Sequence, residues 1–305
     1  MANQSELIKQ LRSMTQAGFM DCKKALDNSN NDLDAAVKWL RENGIAKAAK
    51  KVDSIASEGI IALKAEGNKA VMMEINSQTD FVSKNEMFLQ FVSDLSSSLV
   101  KSELTDVNQV KEMKLASGKT VNEMEIELTA TIGEKISLRR LVNITANDNQ
   151  SVGTYLHANK RIGVILLLSK QDDQDFIKHL AMHIAASNPK FISKASVDQN
   201  WLNSERQVIQ AQIETDDQVK AKLEKAPADK QKDLLDKILE GRINKLLVES
   251  CLESQPYLID NSMTVGDLLK KHNVKVEQMI RFEVGEGIEK KVDNFADEVK
   301  AQMQK

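Results

Sequence analysis

The sequence predicts an α+β fold in which helical segments surround a core with small antiparallel sheets. Three observations support this class. Apolar residues follow a helical period near the start, an alternating period typical of strands from about residue 59, and a helical period again after Pro189. A strand–strand–helix order occurs twice in the middle of the chain. The length of 305 residues is sufficient for two or three compact units, each with its own core.

Composition and charge favour a protein partner over nucleic acid or a membrane. The net charge is -3 and basic residues are interspersed with acidic ones, so attraction to a phosphate backbone is weak. No apolar run approaches the roughly 20 residues that a membrane-spanning helix requires. Cys22 and Cys251 have no CxxC neighbour, and the first residues lack the pattern of a secretory signal. We therefore expect a cytoplasmic protein with free thiols and with no direct nucleic-acid or membrane partner.

Residues 1–53 are predicted to form a three-helix module and a linker. Apolar residues recur at helical spacing behind a predicted N-cap at Ser5. A break precedes a second helix that starts near Asp21, and a third helix runs from its cap at Asp32 to Gly44. Three short helices with a Gly-Phe-Met turn between the first two resemble the ubiquitin-associated type of domain.

The core is predicted as two subdomains that share one pattern. In the first, residues 54–140, a β-hairpin turns at residues 66–68 and is followed by a helix with an apolar face. The same order returns in residues 141–188, and residues 241–263 complete the second subdomain. This internal repeat predicts a duplicated core.

The remaining residues are predicted to be helical. Residues 189–240 are long, charged and amphipathic, with an Ala-Pro-Ala break at 226–228, which is typical of an inserted antiparallel helical hairpin of coiled-coil type. Residues 264–305 form a C-terminal module that ends in a polar helix. The sequence leaves open whether the chain is a monomer or a homodimer paired through the hairpin.

The two copies of the repeat differ in the connection from strand to helix. The second copy uses residues 169–172, whereas the first uses the longer stretch 76–84, which contains Phe81. Two interpretations are open. Phe81 packs back into its own subdomain as a core residue, or the loop presents it to a partner.

The requirements for starting the helix after this loop explain the residue types that follow Phe81. Ser83 and Glu86 have the spacing of a capping box, and Val82 and Met87 stand where a hydrophobic staple would form. Helix initiation does not require an aromatic residue at position 81.

Residues Asn76-Ser-Gln-Thr-Asp-Phe-Val82 and Lys84-Asn-Glu86 resemble the signature loop of the elongation factor Ts family. Further segments resemble that family in the same order, namely Asp21–Leu26, Val37–Arg41, Gly44–Lys51, Gly133–Ile136, Arg161–Val164, Ala181–Ser187 and Arg281–Gly287. Because they extend along the whole chain, the sequence is identified as a member of this family. The resemblance implies the same architecture as the pattern: a three-helix module, a two-subdomain core, an inserted hairpin and a C-terminal module.

The resemblance also implies a function. Members are guanine-nucleotide exchange factors for the GTPase elongation factor Tu, are not enzymes, and need no cofactor or metal of their own. The loop of Thr79, Asp80, Phe81 and Val82 is implied to enter the G domain of the partner near its magnesium site. There the Phe81 ring separates partner helices, magnesium contacts are disturbed and GDP leaves. Three roles are open for Asp80: it perturbs the hydrated magnesium, it bonds to partner backbone groups at the base of the loop, or it shapes the loop through an Asx turn. A mixed role is favoured.

A second partner contact is implied at the first helical turn, through Arg12 and Met20. The family usually has glycine and methionine where this chain has Gln16 and Phe19. These two differences put the detailed packing at position 19 in question.

Two other classes of function are weighed against this one. His179 and His183 have the helical spacing of a two-histidine metal site, which would suit a metal-dependent hydrolase, although no glutamate lies between them. A capping or lining role on their helix is favoured. The alternative is a ubiquitin-type adaptor that acts through residues 1–51. No GxxxxGK[ST] motif is present, so the chain is not itself the GTPase.

Overall fold

The structure is a computed structural model that describes residues 3–15 and 17–289. Gln16 and the polar helix expected at the C-terminal end lie outside the described residues. The described part contains eleven helices, six strands and two three-stranded sheets. The predicted α+β class is confirmed.

The N-terminal module consists of three helices, α1 (Gln4–Thr15), α2 (Phe19–Asn28) and α3 (Leu33–Ala49). Their buried side chains form a small core of Ile8, Leu11, Cys22, Ala25, Leu26 and Ala36. Asp32 caps α3 as predicted, since its side chain accepts a hydrogen bond from Ala35 N at 2.7 Å. The predicted cap at Ser5 is wrong, because α1 already includes Ser5, whose N–H donates to the Asn3 side chain. The second helix begins two residues before the predicted Asp21.

The first sheet has the order β1–β2–β3. The elements in this region are β1 (Glu58–Glu66), β2 (Lys69–Ser77), α4 (Glu86–Leu99), α5 (Val107–Glu112), α6 (Val121–Ile132) and β3 (Ser137–Thr145). The hairpin of β1 and β2 is confirmed, with antiparallel pairs from Glu58 and Ser77 to Glu66 and Lys69. Strand β3 adds to the other edge of β2, which is therefore the central strand. Sequence analysis did not predict α5, α6 or β3.

Gly44 does not end the third helix as predicted. Helix α3 continues through it to Ala49, and a Cβ at position 44 would lie 2.9 Å from the Cβ of Ala130 on α6. Real Cβ contacts are longer than this, so only glycine lets the two helices approach so closely. The glycine serves helix packing here instead of helix termination.

The second half of the chain has another sheet, of order β4–β5–β6, which is also antiparallel. Its elements are β4 (Gln150–Leu156), β5 (Ile162–Ser169), α7 (Gln174–Ser187), α8 (Gln199–Thr215), α9 (Asp217–Lys225), α10 (Ala228–Ser250), α11 (Val265–Lys271) and β6 (Val276–Glu283). The expected strand–strand–helix order is present in β4, β5 and α7. The expectation that residues 264–305 are helical is wrong for Val276–Glu283, because this segment is strand β6 of the same sheet. Asp173 caps α7 by accepting a hydrogen bond from Phe176 N at 3.0 Å.

Helices α8, α9 and α10 form the helical hairpin, with a core of Ile209, Ile213, Val219 and Ile243. The outgoing arm has an additional break at Asp216, whose carboxylate caps α9 and also pairs with Arg242 on α10. The return arm α10 is continuous past residue 240, where a boundary was expected.

The chain divides into two compact units. Among the described residues, the first contains those up to Thr145, with Leu156–Gly163 and those from Phe282 onward, and the second contains Ala146–Tyr155 and Val164–Arg281. In the described part of the chain, every helix is too short or too polar to pass through a lipid bilayer.

Candidate functional site

Phe81 lies at the tip of the loop that joins β2 to α4. Its side chain is 77% exposed, more than any other large apolar side chain among the described residues. The interpretation in which the ring packs into its own subdomain does not hold in this structure. Burying a side chain of this size stabilises a fold by about 1.5–3 kcal/mol. Because the ring of Phe81 is exposed, it does not contribute this free energy to the stability of the chain.

Val82, the next residue, has the opposite environment. It is 3% exposed and packs in the same core as Phe88 and Phe91 of α4. A 3₁₀ turn over Val82–Lys84 separates the directions of the two side chains, and Lys84 N donates to Phe81 O at 3.1 Å. Val82 was expected among the partner-binding residues, but the structure makes it the internal anchor of the loop.

The capping box predicted at Ser83 and Glu86 is wrong. Helix α4 begins two residues later than expected, with Asn85 as its N-cap. The Asn85 side chain accepts from Met87 N at 2.9 Å and Phe88 N at 3.2 Å. The staple positions shift by the same two residues, to Lys84 and Leu89, so Val82 and Met87 do not stand at them, although Met87 packs against the core that contains Val82. The reason is the 3₁₀ turn, which occupies Ser83 and requires the helix to start after it.

Asp80 shapes the tip of the loop through its backbone. Its carbonyl oxygen accepts the N–H of Ser83 at 3.2 Å and also the Ser83 hydroxyl. Within the described residues its exposed carboxylate has no hydrogen-bond donor, so the alternative of a side-chain Asx turn is not observed. The carboxylate is therefore available to a partner, next to an exposed aromatic ring.

Thr79 is fixed at the base of the loop by Glu134. The Thr79 N–H donates to Glu134 Oε2 at 2.9 Å, and the Thr79 hydroxyl donates to Glu134 Oε1 at 2.7 Å. Lys135 N donates to the Gln78 side chain at 3.0 Å. Sequence analysis did not identify Glu134 or Lys135 as site residues. The available signal was the segment Gly133–Ile136, which resembles the same family as the loop.

The second expected contact surface lies where α1 ends and α2 begins. Arg12 is exposed, and the side chains of Phe19 and Met20 are 50% and 59% exposed. A groove of about 590 Å³ in the same unit is lined by Met14 from α1 and by Met87 from the first turn of α4, together with residues of α3 and α6. The end of α1 and the start of α4 therefore border one groove.

His183 is a structural residue of the second unit. It is 1% exposed, its Nε2 lies 2.9 Å from Gln255 Oε1, and its Nδ1 accepts from Leu258 N at 3.3 Å. Burial lowers the pKa of His183, so the ring is neutral. Both ring nitrogens are engaged within the chain, and His179 is half-buried beside it. Among the described residues, no group of three or more His, Cys, Asp and Glu is arranged to hold a metal ion. Within this part of the chain, His179 and His183 therefore do not belong to a set of three metal ligands.

Comparison with known proteins gives one consistent match. The family model described as Elongation factor TS matches residues 78–286, which is more than half of the chain. A relative called Elongation factor Ts from Mycoplasmoides gallisepticum is 55% identical over 303 residues, covering 99% of this chain and 100% of the relative. Relatives of the same name from Mycoplasma pneumoniae and Mycoplasma genitalium are 48% and 47% identical, with 100% and 99% of both chains covered.

Proposed function

This chain belongs to the elongation factor Ts family of translation elongation factors, and from this membership we propose that it is a guanine-nucleotide exchange factor for elongation factor Tu. In this role it binds the GDP-bound GTPase in the cytoplasm, promotes release of GDP and so allows GTP to bind. It carries out no covalent chemistry on a substrate and is not an enzyme in the usual sense.

The observation that carries the proposal is the exposure of Phe81 on a loop whose flanking residues are fixed. Phe81 is 77% exposed, while Val82 is buried and Thr79 is hydrogen-bonded to Glu134. The ring inserts between helices of the partner's G domain near the magnesium site. Asp80, whose carboxylate is exposed beside the ring, acts on the hydrated magnesium or on partner backbone groups. Loss of magnesium contacts weakens the hold on the GDP phosphates.

The energetics require more than one contact. Exchange depends on tighter binding to the nucleotide-free GTPase than to the GDP-bound form, and GDP weakens binding of the factor by the same ratio. A thousandfold faster release needs about 4 kcal/mol, whereas burial of one Phe provides about 1.5–3 kcal/mol before any cost of opening its pocket. We place the second contact at the exposed turn of Arg12 and Met20.

Phe81→Ala tests the role of the ring. Stopped-flow release of a fluorescent GDP analogue from elongation factor Tu should become about tenfold slower, the kinetic equivalent of losing much of one buried Phe. Thermal unfolding should not change, since the side chain is exposed. The control is Val208→Ala on α8, which removes another exposed apolar side chain from the hairpin. An unchanged release rate with Phe81→Ala would remove the ring from the mechanism.

A further inference from the structure

The turn after α6 reaches back to a loop that lies more than fifty residues earlier in the sequence. Gly133 ends α6 in the left-handed conformation, with φ of 84°, and its N–H donates to Thr129 O at 2.9 Å. This conformation favours glycine, and it turns the chain out of the helix so that the next two residues face the β2–α4 loop. Glu134 then meets Thr79, and Lys135 meets Gln78.

The contact between Glu134 and Thr79 is geometrically demanding. Each carboxylate oxygen of Glu134 accepts one bond, one from the backbone N–H and one from the hydroxyl of the same residue, at 2.9 and 2.7 Å. Two bonds to different parts of one residue fix both its backbone and its side-chain rotamer. Because the acceptor is a carboxylate, both bonds are of the stronger, charge-assisted kind.

The loop tip is held on both sides. We call the pair of hydrogen bonds between Glu134 and Thr79 the brace, and the buried side chain of Val82 the anchor. Thr79 is held by Glu134, and Val82 is held in the core. Only Asp80 and Phe81 lie between these fixed points, and both are exposed. Lys135 extends the brace, since its Nζ donates to the carbonyl of Val52 in the segment after α3.

We propose that Glu134 is a positioning residue for nucleotide exchange. By holding Thr79 it presents Asp80 and Phe81 in a single conformation before the partner is met, so the loop loses less conformational freedom when it inserts. Thr79 accordingly acts through bonds within its own chain and not through a contact with the partner. This inference rests on the proposed function, because it assigns Glu134 a role in the insertion of Phe81.

Glu134→Ala removes the brace and leaves the ring in place. GDP release from elongation factor Tu should slow by about tenfold, as expected for the loss of charge-assisted hydrogen bonds. Glu134→Gln keeps an acceptor for the Thr79 N–H and should restore part of the rate. Thr79→Val removes only the hydroxyl bond and should slow release less than Glu134→Ala. The matched control is Glu103→Ala in the same compact unit, whose exposed carboxylate pairs with Lys69; its rate should equal that of the unaltered chain.

A double-variant cycle separates positioning from a general structural role. In a chain that already carries Phe81→Ala, Glu134→Ala should cause a smaller loss than in the unaltered chain, because only the part that acts through Asp80 remains. Additive losses, or a Glu134→Ala rate equal to that of the unaltered chain, would overturn the inference. Should Glu134→Ala fail to fold, the same cycle with Thr79→Val decides. If the unaltered chain does not speed GDP release, the proposed function fails; if Phe81→Ala slows release and the Glu134 and Thr79 variants do not, only the role of Glu134 fails.

Discussion

Two connections occupy the same place in the two strand–strand–helix segments, one between β2 and α4 and the other between β5 and α7. They differ in whether their side chains bond locally or extend into solvent. In the second connection, Gln171 Oε1 accepts the N–H groups of Asp172 at 2.8 Å and Asp173 at 2.9 Å, and Ser151 exchanges two hydrogen bonds with Gln171. The polar groups of that turn are satisfied locally. The first connection is longer, and its tip carries Phe81 into solvent.

This difference shows that a short polar connection is sufficient between a strand and a helix, and that the length of the first connection is not required to start a helix. Four polar residues are sufficient to begin α7, with Asp173 as the cap. The additional residues of the first connection are therefore not needed to start α4. Their conformation is nevertheless specified at both ends, by Glu134 and by the core around Val82. A segment that is not needed to start its helix but is held in one conformation is characteristic of a binding loop.

The largest expected effect is a difference in the free energy of unfolding between variants of the two neighbouring residues Val82 and Phe81. Val82→Asp places an unpaired carboxylate in the core, so the free energy of unfolding should fall by about 3 kcal/mol or more. Phe81→Asp at the exposed site should change it by no more than about 0.5 kcal/mol. Urea denaturation of both variants measures the difference. Similar losses would show that the fold depends on both side chains, contrary to the structure.

A smaller effect is expected at the caps of the two equivalent helices. Asn85→Ala on α4 and Asp173→Ala on α7 each remove an N-cap and should lower the free energy of unfolding by about 1 kcal/mol. Ser83→Ala should have less effect than Asn85→Ala, because Ser83 bonds only to Asp80 O in the 3₁₀ turn. If Ser83→Ala proved the more harmful of the two in denaturant titrations, the helix would start at the capping box that the structure replaces.

The effect that is smallest at neutral pH is a difference in stability between the two units, which develops only on acidification. Burial lowers the pKa of His183 from 6.5, so the unfolded chain takes up a proton there before the folded chain does. The second unit therefore loses stability as the pH falls below about 6.5, by at most about 1.4 kcal/mol per pH unit.

In the first unit, burial raises the pKa of Glu74, but hydrogen bonds from Gly285 N–H, Asn76 and Arg140 outweigh it and lower the pKa from 4.5. Its contribution is present above this value and is lost only as the pH falls below it.

The two tryptophans allow each unit to be followed separately. Trp39 lies in the first unit and Trp201 in the second. Fluorescence of the variants Trp39→Phe and Trp201→Phe, recorded in urea at several pH values, should show the Trp201 signal becoming less stable first. His183→Gln should reduce this pH dependence. Parallel loss of both signals from pH 6.5 downward would contradict the assignment.

Much of the fold could be predicted because its strongest signals are local. The β1–β2 hairpin, α4 and α7 follow clear apolar periods, and Asp32 and Asp173 are recognisable caps. Strand β3 was missed because most of its residues are only half-buried, so alternation is weak. Gly44 misled the prediction because its role depends on Ala130, a residue of a distant helix.

The site was predictable at its tip but not at its base. The mismatch between the two repeat copies identified Phe81 from the sequence alone. Glu134 could not be found in the same way, because its contact with Thr79 spans 55 positions and exists only in the folded chain. The misplaced helix start has a related cause. Ser83 and Asn85 are both acceptable caps by type, and the choice depends on the burial of Val82, which a local pattern does not report.

The close approach of α3 and α6 at Gly44 has a consequence for recognition. Since no side chain separates Gly44 from Ala130, the turn that carries Arg12 and Met20 belongs to the same compact unit as the Phe81 loop. Under the proposed function, contact of either surface with the GTPase would confine the other surface nearby at a high effective concentration. The two surfaces, each of which alone binds weakly, would then bind the GTPase as a bivalent pair, and their avidity would depend on the close packing of α3 and α6 that the missing Cβ of Gly44 permits.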